Sequence, residues 1–461
     1  MQENISHNSR QKATVAAAIS TSFITTFSGS ALNLAIPNMG TYFSMGAASV
    51  GWLITTYTLV VAAFSVPFGK LADSTSRYKV LVTGIIIFGI TSIAAVFAPN
   101  AAIMLTFRVV QAIGASMIFA TNMPIAISAF PGKERGKAIG MVTSGTYTGL
   151  ALGPVLGGIL NNYFGWKSIF LFGALVSIFA LFITVKGVHK DRAEDNKMAQ
   201  DIQGNIFYII MIASVIYGLS SLNSNKFGWL FIVLGVVFGF FFVKTELKSV
   251  NPVIDVRIFA SNRTYTLSNL TALFNYSATF ALSYMVSIYL QVVMGFSSQT
   301  AGFVLISQPF FMAVLSPRMG RLSDKVAPYK LASAGMGLCA LSLLFFALLR
   351  PETNVWLIVV SLSVAGVGIA LFSSPNTNVI MGCVPPAKFG VANSILATMR
   401  TTGQSAGMAI ITLVVSGTVG NVSLYDISAD ELVSTMHIAF VIFTVLCAAG
   451  IFMSLQRKRS A

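Results

Sequence analysis

Charge is what this chain of 461 residues has least of. Only 9% of its residues are charged, against about 25% in soluble domains, while 55% are hydrophobic and the mean hydropathy is +0.79. That balance excludes a soluble globular protein. Cysteine is as scarce: Cys339, Cys383 and Cys447 fall in or beside apolar runs and form neither a disulfide framework nor a metal-ligand spacing. Of the histidines, His7 and His189 lie in polar segments and His437 opens the last apolar run. The apolar runs hold no cluster of His, Asp, Glu or Cys of the kind that chemistry in a membrane requires, which argues against an enzyme. A GxxxxGK[ST] loop is missing as well, so ATP is not expected to drive anything directly. No metal or cofactor is expected.

What the chain does have is apolar length. A helix that crosses a bilayer needs about 20 mostly apolar residues. Fourteen runs of this kind are read, centred near Phe27, Val60, Ile90, Met117, Leu150, Leu175, Ala213, Val237, Ser277, Phe311, Leu341, Val367, Thr401 and Leu446. The first, from about Thr14 to Ile36, follows Arg10 and Lys12 but exceeds a typical signal core and lacks a clear small-x-small cleavage site, so it reads as a retained span. With the N-terminus inside, Lys and Arg fall in cytoplasmic segments and span ends, except Lys167, Lys226 and Arg350 outside and Arg108 and Arg400 within spans. That is the positive-inside pattern. The net charge of +15 therefore reports orientation and contact with anionic lipid headgroups, and no basic soluble module exists to bind nucleic acid. The expected setting is a bacterial plasma membrane, with both termini cytoplasmic and the chain a monomer among membrane lipids.

The runs are duplicated. GKLAD at 69 to 73 recurs as GRLSD at 320 to 324, 251 residues later, and PGKERGKA at 131 to 138 is echoed by PPAKFGVA at 385 to 392. Six spans of roughly thirty residues with their loops would bring the copies about two spans closer. The surplus is the pair near Ala213 and Val237, flanked by polar linkers at 187 to 201 and 247 to 264. The expected fold is all-α and membrane-embedded: a six-helix bundle over 1–200, a two-helix insertion over 201–260 and a second six-helix bundle over 261–461. Parallel duplicated halves place a substrate site at their interface, near mid-membrane.

GKLADSTSRYK, LTFRVVQAIGAS and GTYTGLALGPVLGG, in this order and on these runs, resemble three signatures of the major facilitator superfamily. The fourteen runs and the third signature resemble its drug:proton antiporter branch. Gly69, Asp73 and Arg77 match the first signature, whose aspartate the resemblance casts as a lock on the outward-facing form; carboxylate attraction to helix N-termini and guanidinium supplies the force. Asp324, in the degraded second copy, is the other candidate lock, and Ser76 stands where the family usually has glycine. The third signature implies export. Its glycines also have a meaning of their own: Gly145, Gly149 and Gly153 recur every four residues, and Gly157 continues the row beside Pro154 and Gly158. Small residues so spaced let another helix approach closely, and a proline frees a backbone carbonyl.

Arg108 and Gln111 match the second signature, with Ala112 in place of its usual glycine. A charge at mid-span costs about 2.5 to 3.5 kcal/mol on insertion scales and normally faces a cavity or a partner. The obvious partner is a carboxylate, yet all fourteen acidic residues fall in loops or span ends. Members of the antiporter branch often carry an aspartate in span 1 ahead of an Asn-x-Ala-x-Pro element; here Asn33 and Pro37 are present and Ser28 occupies the aspartate's place. Arg400 resembles an arginine common in the branch and is a second intramembrane cation. An electropositive cavity follows, suited to anionic or neutral amphipathic small molecules, with backbone carbonyls as the alternative partners of both arginines. Further cavity candidates are the polar and aromatic residues Asn33, Asn122, Tyr147, Asn275, Tyr276, Tyr284, Gln308 and Asn376, for which helix-to-helix hydrogen bonds are the competing role. The leading expectation is a secondary active exporter driven by a proton gradient. The alternative is a flippase for a lipid or lipid-linked substrate.

Overall fold

The computed structural model describes residues 2–32, 35–45, 52–130, 132–188, 201–221, 227–418 and 428–457. No strand occurs among them. Their long helices are α1 (Gln2–Ala31), α2 (Trp52–Ser74), α3 (Arg77–Val96), α4 (Ala101–Ser128), α5 (Arg135–Phe164), α6 (Lys167–Gly187), α7 (Ile202–Ser221), α8 (Gly228–Lys248), α9 (Arg263–Ile288), α10 (Ser307–Leu322), α11 (Pro328–Phe346), α12 (Val355–Gly382), α13 (Phe389–Thr418) and α14 (Ala429–Gln456). Helix Ser298–Leu305 leads into α10. Among the described residues, eleven segments are long and apolar enough to cross a membrane; α1, α5 and α13, each of 30 residues, lie outside that set. Asn33, a candidate cavity residue, lies outside the described residues.

Polar side chains punctuate the apolar helices. Ser76, Asn100, Asn262, Asn354 and Ser428 each accept a hydrogen bond from a backbone N–H of the first turn that follows. Such caps satisfy donors that helix starts leave open. Ser76 settles how the α2–α3 turn manages without glycine. Its φ of −151° is extended backbone open to any residue, and its hydroxyl caps α3 on the Lys79 amide at 3.1 Å.

The helices pack in two matching sets. In the first, α1 lies on α5 and α6, α3 on α4 and α6, and α2 on α4; in the second, α9 lies on α13 and α14, α11 on α12 and α14, and α10 on α12. Each element of one set thus has its counterpart eight helices on. The sets meet along two seams, α2 against α13 and α5 against α10. The pair α7 and α8 breaks this pattern, because α7 rests on both α2 and α13 and covers that seam alone. The glycine row of α5 builds the contact with α1: a Cβ at Gly145 would stand 2.8 Å from Ile19 O, and one at Gly157 would stand 2.8 Å from the Ala31 Cα. Gly149 and Gly153 meet Thr26 and Ser30 in the same way, while Pro154 sits inside the helix and Gly158 is half-buried beside the row.

Candidate functional site

Two carboxylates fasten the seams at one end of the bundle, the latch end. Asp73, at the end of α2, accepts hydrogen bonds from the backbone N–H groups of Gly390 (3.1 Å) and Val391 (3.0 Å) at the start of α13. Asp324, just past α10, accepts from those of Gly136 (2.7 Å) and Lys137 (2.9 Å) at the start of α5. Open amides and the positive end of the helix dipole make a helix start a natural anion seat. Each carboxylate therefore holds a helix of the opposite set. The approach depends on glycine, since a Cβ at Gly390 would lie 2.8 Å from Gly69 O, and one at Gly69 equally close to Gly390 O. Gly136 and Gly320 abut in the same manner on the other seam.

The two latches differ in their cations. Arg77 pairs with Asp73 at 2.8 Å and also donates to Pro386 O across the seam. Position 328, which matches 77 by the repeat, is a proline, and Asp324 leans instead on Asn378 Nδ2 at 3.4 Å. Arg135 donates to Asn378 Oδ1 at 3.0 Å and completes that side.

Above the latches a small pocket of about 60 Å³ lies between the two sets. Ser22, Phe119, Asn122, Thr143, Thr146 and Tyr147 line it from the first set, and Tyr276, Ser373, Thr377, Asn393, Leu396 and Arg400 from the second. Arg400 is the one charged lining residue among those described. Its guanidinium stands 5.5 Å from the Phe119 ring centre, a cation–π distance. The amides are partly committed: Asn122 donates to Ser22 Oγ at 2.7 Å, and Asn393 donates to Phe119 O at 2.6 Å, tying the sets together. Tyr276 Oη lies 3.2 Å from Ser373 Oγ. No group of three or more His, Cys, Asp or Glu that could hold a metal ion occurs among the described residues.

Of the residues expected at a cavity, Asn122, Tyr147, Tyr276 and Arg400 meet in this pocket. The others stand elsewhere. Arg108 is fully buried inside the first set, where Nε donates to Leu53 O at 3.0 Å, one amino group reaches Ser28 Oγ (3.5 Å) and Gln111 Oε1, and the plane lies 4.5 Å from the Tyr57 ring centre. Backbone and side-chain acceptors thus stand where a carboxylate was sought, and Gln111 passes the network to Ser92 at 2.7 Å. Asn275 is fully buried in the second set, and no hydrogen bond is formed by either amide atom among the described residues. Gln308 accepts from Ser283 at 2.7 Å, and its backbone is pressed against Gly366. Tyr284 is 40% exposed. Asn376 accepts from Arg457 at 2.7 Å and donates to Ser268 O at 3.1 Å. The reason for this scatter is helix face: apolar helices carry no strong polar stripe, so packing alone chooses which polar residue looks inward.

Sequence reasoning did not single out Phe119, Asn393, Ser373 or the threonines of the pocket, which carry no charge or motif to mark them. It also missed Arg457, buried beyond α14 on Ser268, Ser454 and Asn376. Burial lowers its pKa to about 10. In the sequence it reads as one more positive flank.

The model for the Major Facilitator Superfamily matches residues 18–256 and 269–460. The chain belongs to that superfamily. Among relatives in it, Riboflavin transporter RibZ of Clostridioides difficile (strain 630) is 32% identical over 390 residues, 84% of each protein. Multidrug resistance protein Stp of Mycobacterium tuberculosis (strain ATCC 25618 / H37Rv) is 28% identical over 387 residues, 82% of this chain and 71% of Stp. The crystal structure of the human organic anion transporter MFSD10 (TETRAN) has the same fold, with a TM-score of 0.69 at 13% identity over 95% of this chain and 99% of that one. The superfamily and these relatives are transporters of multi-pass membrane type, and the bacterial relatives imply a plasma membrane.

Proposed function

We propose that this protein is a secondary active exporter of neutral or anionic amphipathic molecules, working by alternating access in exchange for protons. It crosses the membrane fourteen times, with both termini and the latch end in the cytoplasm, and acts as a single chain. The observation that carries this reading is the inter-set pocket whose one charged lining residue among those described is Arg400, flanked by Phe119, Tyr147 and Tyr276. A flat conjugated molecule stacks on such rings, hydroxyls and amides bind its polar edge, and a guanidinium without a carboxylate favours negative charge over positive. Resemblance to a riboflavin transporter makes riboflavin a rational first probe.

Export then runs as follows. With Asp73 and Asp324 seated on the starts of α13 and α5, the pocket is sealed from the cytoplasm and discharges outward. Loading needs both carboxylates to leave those seats together, because each seam joins the same two sets. Proton exchange supplies the bias between the two forms.

Purified protein in liposomes, offered riboflavin, fluorescein and ethidium with and without an imposed pH gradient, tests this. Riboflavin and fluorescein are carried and ethidium is not. Arg400→Ala weakens fluorescein transport by about tenfold or more, the size expected for losing a charged hydrogen-bond donor worth about 1.5 to 3 kcal/mol, and affects riboflavin less. Strong ethidium flux indifferent to Arg400→Ala sinks the substrate class, and flux indifferent to the pH gradient sinks proton exchange.

A further inference from the structure

Glu246 is a carboxylate in the wrong kind of place. It lies in the last turn of α8 and is only 1% exposed. Its Oε2 accepts from the Ile254 amide at 3.0 Å, and its Oε1, packed against Gly204 of α7, has no hydrogen-bond partner among the described residues. None of the three ion pairs among the described residues includes it.

None of the surrounding charges forms an ion pair with Glu246 among the described residues. On α7, Asp201 spends Oδ1 on the Gly204 amide at 2.7 Å, so a second carboxylate faces Glu246 across the helix start. On α2, Lys70 feels Asp73, Glu246, Asp201 and Lys388 together without pairing with any of them. Ahead of α13, Lys388 pairs with Asp255 at 3.4 Å. After α8, Arg257 donates to Leu247 O at 2.7 Å. Lys244 and Lys248 of α8 itself line a neighbouring cleft with Asp201 and are not in ion-pair contact with Glu246. An ionised carboxylate buried beside another carboxylate, with one oxygen bare, is costly, and such a group holds a proton instead.

Its location gives the proton a consequence. Glu246 is packed between α7 and the segment after α8, whose Val253 and Ile254 share one hydrophobic cluster with Val66 of α2, Tyr208 of α7 and Ile395 of α13, the helices of the seam that α7 covers. Lys70 of α2 lies within electrostatic reach of both Glu246 and Asp73. We propose that Glu246 is a proton-binding site on the inserted helix pair, protonated while the α2–α13 seam is closed and ionised when that seam opens and water and Lys70 reach it. Proton binding and seam closure then favour each other, by the reciprocity that governs any two linked equilibria. This rests on the alternating-access reading above for its consequence, though not for the protonation itself.

Infrared titration of the full-length protein in detergent reads the protonated carboxyl directly. The wild type shows a carboxyl C=O band that persists about two pH units above the ordinary glutamate value near 4.3, and Glu246→Gln removes that band. Gly390→Val, which wedges the seam without altering any charge, shifts its loss to lower pH by about one unit, a tenfold change in proton affinity. Thr398→Val, on the same seam, gives a smaller shift in the same direction if the larger side chain at 390 prevents folding. A band that is absent in the wild type, or unchanged in Glu246→Gln, overturns the site. A band that ignores both seam variants overturns its link to closure. If wild-type liposomes carry no riboflavin, the transport reading fails by itself, while the band still decides whether Glu246 holds the proton.

Discussion

The two seams between the halves are copies of one another in backbone and opposites in dress. On both, a carboxylate at the end of one helix sits on the open amides of another, and a pair of glycines lets the backbones touch. On the α2–α13 side the carboxylate also holds Arg77, and α7 lies across the joint. There Tyr208 Oη meets Thr398 Oγ1 at 2.8 Å, and Thr398 reaches Ala62 O at 3.4 Å, so three helices share one polar contact. On the α5–α10 side the tie is an amide, Asn378, and among the described residues neither α7 nor α8 packs substantially against that seam. The two seams share one backbone geometry, and the side chains that differ between them give each its own set of ties.

The largest blow to that comparison comes from filling the glycine contacts. Gly390→Val and Gly320→Val each force a side chain into touching backbone, at about 1 to 3 kcal/mol. Both are expected to cut riboflavin transport by about tenfold or more. Equal losses show that the seams are equivalent in packing; a loss confined to one shows that the halves do not move as units.

Removing the latch charges sharpens the contrast. Asp73→Asn is expected to favour the open form by about 2 kcal/mol and Asp324→Asn by about 1 kcal/mol, because Asp73 also pairs directly with Arg77 whereas Asp324 has no ion pair among the described residues. Cys383 is a native reporter: it lies at the latch end and is half-buried, whereas Cys339 and Cys447 are buried. Burial raises its thiol pKa, so it reacts slowly while the end is shut. Its maleimide labelling should accelerate in both variants, and more in Asp73→Asn. The reverse order would make Arg77 a bystander.

The smallest effect belongs to the covering helix. Tyr208→Phe removes one hydroxyl tie, worth about 0.6 kcal/mol inside a membrane protein, and should speed Cys383 labelling by about threefold at most. The same labelling in Tyr208→Phe and wild type would show that α7 covers the seam without holding it.

Part of this was legible beforehand because it follows from length and repetition. Apolar runs near twenty residues must be helices where no water can satisfy a backbone, and GKLAD with GRLSD marked both latches by position. Arg108 was legible as an intramembrane charge and illegible in its surroundings. Leu53 O, Ser28 and Tyr57 come from helices far along the chain, and nothing local to residue 108 says they converge. Phe119 and Asn393 were invisible for the same reason, since a phenylalanine in a chain with 36 of them carries no positional signal. Glu246 was placed at a span end, and its burial against Gly204 depends on how α7 and α8 pair.

The sequence by itself determined that this chain belongs in a bilayer, and it set the expectation of two duplicated halves with a helix pair between them and of carboxylates at the span ends. Those conclusions need only the energy of moving side chains and peptide groups into hydrocarbon, which is a property of each residue alone. The tertiary structure decided which arginine faces the pocket, which is enclosed by carbonyl and hydroxyl acceptors, and which carboxylate is left without a cation. Such choices depend on helix rotation and on neighbours hundreds of residues away, and helices apolar on every face leave rotation to packing.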